Sequence, residues 1–103
     1  MAETPNVVMN DETRRFEIRQ GGDVAFAEYR LVDDHITLPH TVVPDSMGGK
    51  GIGSALAEAA LTYARDNGLT VIPTCTFMAG YITRHPEWHD LVDPGYRSRL
   101  GLS

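Results

Sequence analysis

Four glycines fall within six residues at Gly48-Gly49-Lys50-Gly51-Ile52-Gly53, with Ser54 directly after them. Glycine lets successive backbone N–H groups turn into one concavity, and a helix starting there adds partial positive charge. Lys50, the only lysine of the chain, adds a full charge. Such a loop suits an anion, phosphate above all. It is not a P-loop, because Pro44 stands where the first glycine belongs and Gly51 where Ser or Thr would hold magnesium. Nor is it a dinucleotide fingerprint, since Leu56 occupies the third glycine position. One glycine suffices to lead a chain into a helix, so four favour close approach to a ligand over mere capping.

Three further side chains can do chemistry. Cys75 is the only cysteine, which excludes an intrachain disulfide and a cysteine zinc cluster. It is either a small buried hydrophobe or a thiol acting as nucleophile or proton donor. His40 can accept a proton or activate Cys75, or can simply hydrogen-bond to backbone. Tyr81 is either a general acid or a core residue. No metal site is expected. His85-Pro86 reads as a helix end and Trp88 as a packing anchor. His35 and His89 are expected to be solvated, and Asp33-Asp34 to form a turn.

These residues need elements to hold them. With 103 residues, 42% hydrophobic and 22% charged, the chain has the composition of one globular domain with a modest core. A short strand is possible at Val7-Val8-Met9. From Arg14 to Arg19, Phe16 and Ile18 alternate with Arg15, Glu17 and Arg19, the pattern of a half-buried strand. Gln20-Gly21-Gly22-Asp23 turns it back into a strand over 24–31, and Asp33-Asp34 turns that into a third over 35–43. Pro39 predicts a bulge or broken pairing near Pro39-His40.

Ile52, Ala55, Leu56, Ala59, Ala60, Tyr63 and Ala64 then form one apolar helix face, stopped by Asn67-Gly68. A strand over 69–74, a helix over 77–84 and a further turn over 87–92 complete a core of about 14–92. The ends, 1–13 and 93–103, are expected to be loose. Strand, helix, strand makes a crossover unit with parallel strands, whose C-terminal ends share an edge with the helix N-terminus. His40 to Val43, the glycine loop and Thr74-Cys75 therefore converge. Proline in both strands, Pro39 and Pro73, predicts that they part toward Val43 and Cys75. The predicted class is α/β (α+β): a mixed, mostly antiparallel sheet with a splayed parallel pair around one βαβ unit.

Four segments, at these spacings, resemble the GNAT N-acetyltransferase superfamily: His40-Thr41-Val42-Val43-Pro44, Gly49-Lys50-Gly51-Ile52-Gly53-Ser54-Ala55-Leu56, Ile72-Pro73-Thr74-Cys75 and Arg84-His85-Pro86-Glu87-Trp88. They are most similar to its compact single-domain branch, the YjdJ-like acetyltransferases, over about residues 14–92. The resemblance implies binding of acetyl-coenzyme A, with Gly48 to Ser54 around the pyrophosphate and Thr41, Val42 and Val43 pairing with the pantetheine arm. It implies acetyl transfer to an amine, with Cys75 or Tyr81 protonating the departing thiolate, His40 taking the amine's proton and a backbone N–H near Val42 holding the oxyanion. The sequence departs from the superfamily in having Gly48 where Arg or Gln opens the motif and Cys75 where Asn ends the strand. It also has no room for the N-terminal helices that build the acceptor pocket. Two other readings stay open: a non-catalytic acyl-coenzyme A binding module and a Cys–His acyl hydrolase or thioesterase.

The formal charge of −5 and pI near 5.2 argue against nucleic acid and suit a cationic amine or a Lys-containing peptide as acceptor. No apolar run reaches membrane length, and Met1 to Pro5 begins no signal peptide, so a cytoplasmic location is expected. The oligomeric state is left open, with a monomer as the default.

Overall fold

The computed structural model describes residues 6–48 and 51–102. Five strands form one sheet in chain order: β1 (Val8–Asn10), β2 (Arg15–Gln20), β3 (Asp23–Val32), β4 (His35–Val42) and β5 (Thr70–Ile72). The first four run antiparallel and β4–β5 is parallel. The meander follows from its turns. Gly21 and Gly22, at φ 54° and 89°, close the β2–β3 hairpin, the double positive φ that a two-residue hairpin needs. Asp33, at φ 54°, closes the next.

The long helix α1 (Ile52–Asp66) crosses one face of the sheet over β2 and β3 and returns the chain to β5. Asn67 caps its end and Gly68 leaves it at φ 66°. Then come α2 (Thr76–Arg84), a 3-10 helix (Pro86–Leu91) and α3 (Pro94–Leu100). Phe16, Ile18, Ala27, Ile36 and Leu38 of the sheet are buried against Leu56, Ala60 and Leu61 of α1 and Met78 and Ile82 of α2.

Four expectations are corrected. The α1 stripe is turned: Ala57 and Leu61 are fully buried, whereas Ala55, Ala59 and Tyr63 are only half-buried. The helix packs on α2 and the 3-10 helix as well as on the sheet, and that second neighbour covers the extra flank. Glu17, on the face expected to be solvated, is 4% exposed. β5 is three residues long, not six. The stretch after Asp93 is helical, because Asp93 accepts from the N–H groups of Gly95 and Tyr96 and Pro94 fills the first turn. The short strand expected at 7–9 is present, shifted by one residue to Val8–Asn10 and paired with β2.

Candidate active site

The sheet opens where both prolines stand. Thr37 and Ile72 are the last partners of the parallel ladder. Pro73 has no N–H to give, and the N–H of Thr74 turns back to the carbonyl of Ile72 (3.1 Å). β5 therefore offers no donor until Cys75, whose N–H reaches the carbonyl of Leu38 (3.0 Å). On the other side, β4 carries an extra residue: Leu38 and Pro39 oppose Tyr29 alone, between the pairs Glu28–His40 and Arg30–Thr37. Past that clamp β4 continues to Val42 along β3, without a partner toward β5 among the described residues. The expected splay is present.

α1 begins beside this fork. Gly51 leads into it at φ 71°, ψ 15°, and no side chain caps it. The first-turn N–H groups of Ile52, Gly53 and Ser54 head an uncapped helix, where an anion is favoured. Ile52 is buried, Ser54 exposed. Gly48 ends a 3-10 turn (Asp45–Met47) and gives its N–H to the carbonyl of Asp45 (3.1 Å), so that donor is already used. Gly49 and Lys50 lie outside the described residues. Sequence reasoning missed Phe77. Its ring lies across Gly53, so that a Cβ there would come within 2.7 Å of the ring edge, and it stays 36% exposed at the start of α2. Gly53 is thus needed for an aromatic neighbour as well as for backbone approach. Nothing in the one-dimensional spacing pairs it with Phe77.

Cys75 is half-buried at the N-cap of α2, and its Sγ lies 3.5 Å from the Thr41 hydroxyl. Alternation along β4 sends the side chain of His40 to the opposite face from Thr41. His40 is exposed and opposite Glu28. The structure therefore joins Cys75 to Thr41 and not to His40, and the geometry for His40 to activate Cys75 is not present. Tyr81 is 6% exposed and stacked on His85 (4.0 Å between ring centres). Burial, with the charges of Glu58 and Glu87, pushes its phenol up. It belongs to the packing of α2 on α1 and the 3-10 helix.

The remaining histidines are structural. His85 Nδ1 donates to the carbonyl of Tyr81 (2.7 Å) and His89 Nε2 to that of Ile82 (2.8 Å), closing α2. His89 is thereby half-buried, not solvated. His35 stands between Asp34 (2.8 Å) and Asp93 (3.8 Å). Trp88 packs under the Arg65 guanidinium, which also pairs with Asp90. Among the described residues there is no group of side chains that could hold a metal ion, and no helix is long and apolar enough to cross a membrane.

A family model for the GCN5-related N-acetyltransferase matches residues 15–91, from β2 through the 3-10 helix. The chain belongs to this family. It is 37% identical over 100 residues to Protein NATD1 of Mus musculus, covering 93% of this chain and 86% of that protein. It is equally 37% identical to Protein NATD1 of Homo sapiens, covering 93% and 83%. A GCN5-like structure from Staphylococcus aureus, determined in solution by NMR, superposes with a TM-score of 0.68 at 27% identity, covering 89% of this chain and 91% of the other. Within this acetyltransferase fold, the open β4–β5 fork, the uncapped start of α1 and the Cys75–Thr41 pair occupy one end of the sheet.

Proposed function

We propose that the protein binds acetyl-coenzyme A in the β4–β5 fork and transfers the acetyl group directly to an amine. The observation that carries this is the fork: two prolines and a self-bonded Thr74 leave one side of β4 unpaired past Leu38. An extended amide-containing arm can pair there as a strand would, along Thr41, Val42 and Val43. The first-turn N–H groups of Ile52, Gly53 and Ser54 suit the pyrophosphate, with Gly51 at positive φ keeping the approach clear. Gly49 and Lys50 are assigned to the same phosphate contact on sequence grounds.

When bound, the co-substrate supplies an activated acetyl thioester. The chain's own part is to position and to move protons. Cys75, oriented by the Thr41 hydroxyl and anchored by its N–H on Leu38, is the proton donor to the departing thiolate. His40, exposed on the other face of β4, takes a proton from the incoming amine through water. A backbone N–H near Val42 stabilises the oxyanion. Cys75 and His40 lie on opposite faces of β4, which disfavours a Cys–His hydrolase and requires that proton transfer from the amine to His40 run through water. The acidic surface, with its −5 net charge, fits a cationic amine or Lys-containing peptide as acceptor.

The test is a thermal melt with coenzyme A followed by an acetyl-coenzyme A turnover assay across primary amines. A ligand-dependent rise in Tm and amine-dependent thiol release are expected. A Tm rise without turnover on any amine would select a non-catalytic acyl-coenzyme A module. No rise at millimolar coenzyme A removes the proposal.

A further inference from the structure

Away from the fork, a half-open surface cavity of about 420 Å³ is lined by Asp11, Arg14, Tyr29, Leu31 and Tyr63. Tyr63 lies eleven positions along α1 from Ile52, which places the cavity ~17 Å from the helix start. The coenzyme reading uses none of these side chains.

The turn that carries Asp11 and Arg14 is held from several sides. Asn10 Oδ1 accepts the N–H groups of Glu12 (3.0 Å) and Thr13 (3.3 Å). The Asn10 amide and the Thr13 hydroxyl donate to the buried Glu17 carboxylate. Arg14 is kept at φ 57°, a conformation unfavourable for its side chain, while its carbonyl accepts the Tyr29 N–H (3.0 Å). The wall is equally fixed, because the Phe16 ring packs against both Tyr29 (5.2 Å) and Tyr63 (5.9 Å).

Asp11 and Arg14 are exposed at the mouth of this cavity, and Tyr29 is buried at its base. The Tyr29 hydroxyl donates to Asp11 Oδ1 (3.0 Å), and burial with this carboxylate pushes the phenol up to about 12, so it remains a donor. Among the described residues, the second oxygen of Asp11 has no hydrogen-bond partner and neither Asp11 nor Arg14 forms an ion pair. Both charges nevertheless act on the one Tyr29 hydroxyl. A monocation entering here meets Arg14, and a monoanion meets Asp11. A ligand carrying both charges meets neither repulsion.

We propose that this cavity binds a small zwitterion of the α-amino acid type with an apolar side chain. Its ammonium lies on Asp11, its carboxylate on Arg14 and its side chain against Tyr29, Tyr63 and Leu31.

The test is an NMR titration of the full chain with L-phenylalanine, phenethylamine and 3-phenylpropanoate as probes. L-phenylalanine should give saturable shifts confined to Tyr29, Leu31, Tyr63 and the 11–14 turn, with each singly charged analogue about tenfold weaker. Asp11→Asn still accepts the Tyr29 hydroxyl, and Arg14→Asn suits positive φ, so both should keep a dispersed native spectrum. Each should weaken L-phenylalanine about tenfold. Absence of saturable shifts, equal binding of the three probes, shifts centred on α1's first turn or undiminished binding by both variants would each overturn the proposal.

Discussion

The fork and the 10–17 turn region lie on one sheet and solve opposite problems. At the fork the backbone is left unsatisfied toward a ligand, by residues that cannot donate: Pro39, Pro73 and a Thr74 whose N–H is already spent. In the turn region polar side chains satisfy one another. Burial pushes the Glu17 carboxyl up, but hydrogen bonds from Asn10 and Arg19, the Arg19 charge and a bond from Thr13 outweigh it and hold the group below its ordinary range. One region keeps its polar capacity for something that arrives. The other commits Asn10, Thr13, Glu17 and Arg19 to one another, holding a strained Arg14 in place while doing so, and leaves the Asp11 and Arg14 charges facing outward.

That contrast breaks most sharply at Cys75. Cys75→Ala should slow acetyl transfer by roughly 10²–10⁴-fold if the thiol is the proton donor, at a stability cost of about 1 kcal/mol. Steady-state turnover and a melt separate the two effects, and unchanged turnover would return Cys75 to a packing role. Gly51→Val comes next. It puts a branched side chain at φ 71° and should cost about 1–2 kcal/mol or more. It should also abolish the coenzyme A-dependent rise in Tm, whereas the same measurement on Glu17→Gln should show the rise intact.

Glu17 tests the other region through pH. Its folded pKa is depressed, so its contribution is fully present above the ordinary value of 4.5 and is lost as pH falls through the folded value. Asp90, held low chiefly by the Arg65 hydrogen bond, acts in the same direction. Denaturant titrations between neutral pH and pH 3 should show stability falling with acid, with a shallower fall in Glu17→Gln. An unchanged slope would deny the network its role. The smallest effect is expected for Arg14→Asn, which relieves the positive φ and should raise stability by ~1 kcal/mol or less. A clear loss of stability would show that the arginine side chain itself holds the turn.

The two regions also differ in how well the sequence reveals them. Glycine and proline act through the backbone, so Gly21-Gly22, Pro39, Pro73 and the 48–53 loop disclose a hairpin, a bulge, a fork and a helix start without any knowledge of neighbours. The βαβ unit follows from them. Side-chain partnerships depend on register. Glu17 reads as solvated until Asn10, Thr13 and Arg19 are placed around it, and Phe77 is invisible beside Gly53 until α2 is docked. His40 and Cys75 converge on one edge in sequence logic. The one-residue alternation of β4 then sends His40 to the far face and leaves Thr41 as the partner of Cys75. The Asp93-Pro94 start of α3 was readable as a cap followed by a first-turn proline, a signal that the absence of an apolar stripe obscures.

Val92 lies parallel to Val71, and Asp93 gives its N–H to the carbonyl of Val71 (2.9 Å). The outer margin of β5 is therefore occupied by the chain's own later segment. An exposed strand margin is a template for pairing with other molecules, and short or covered margins suppress it. Here that protection hangs on one isolated bridge and the capped helix behind it. Loosening the Asp93 cap would make the protein more prone to associate strand to strand, so colloidal behaviour in solution would change before the core did.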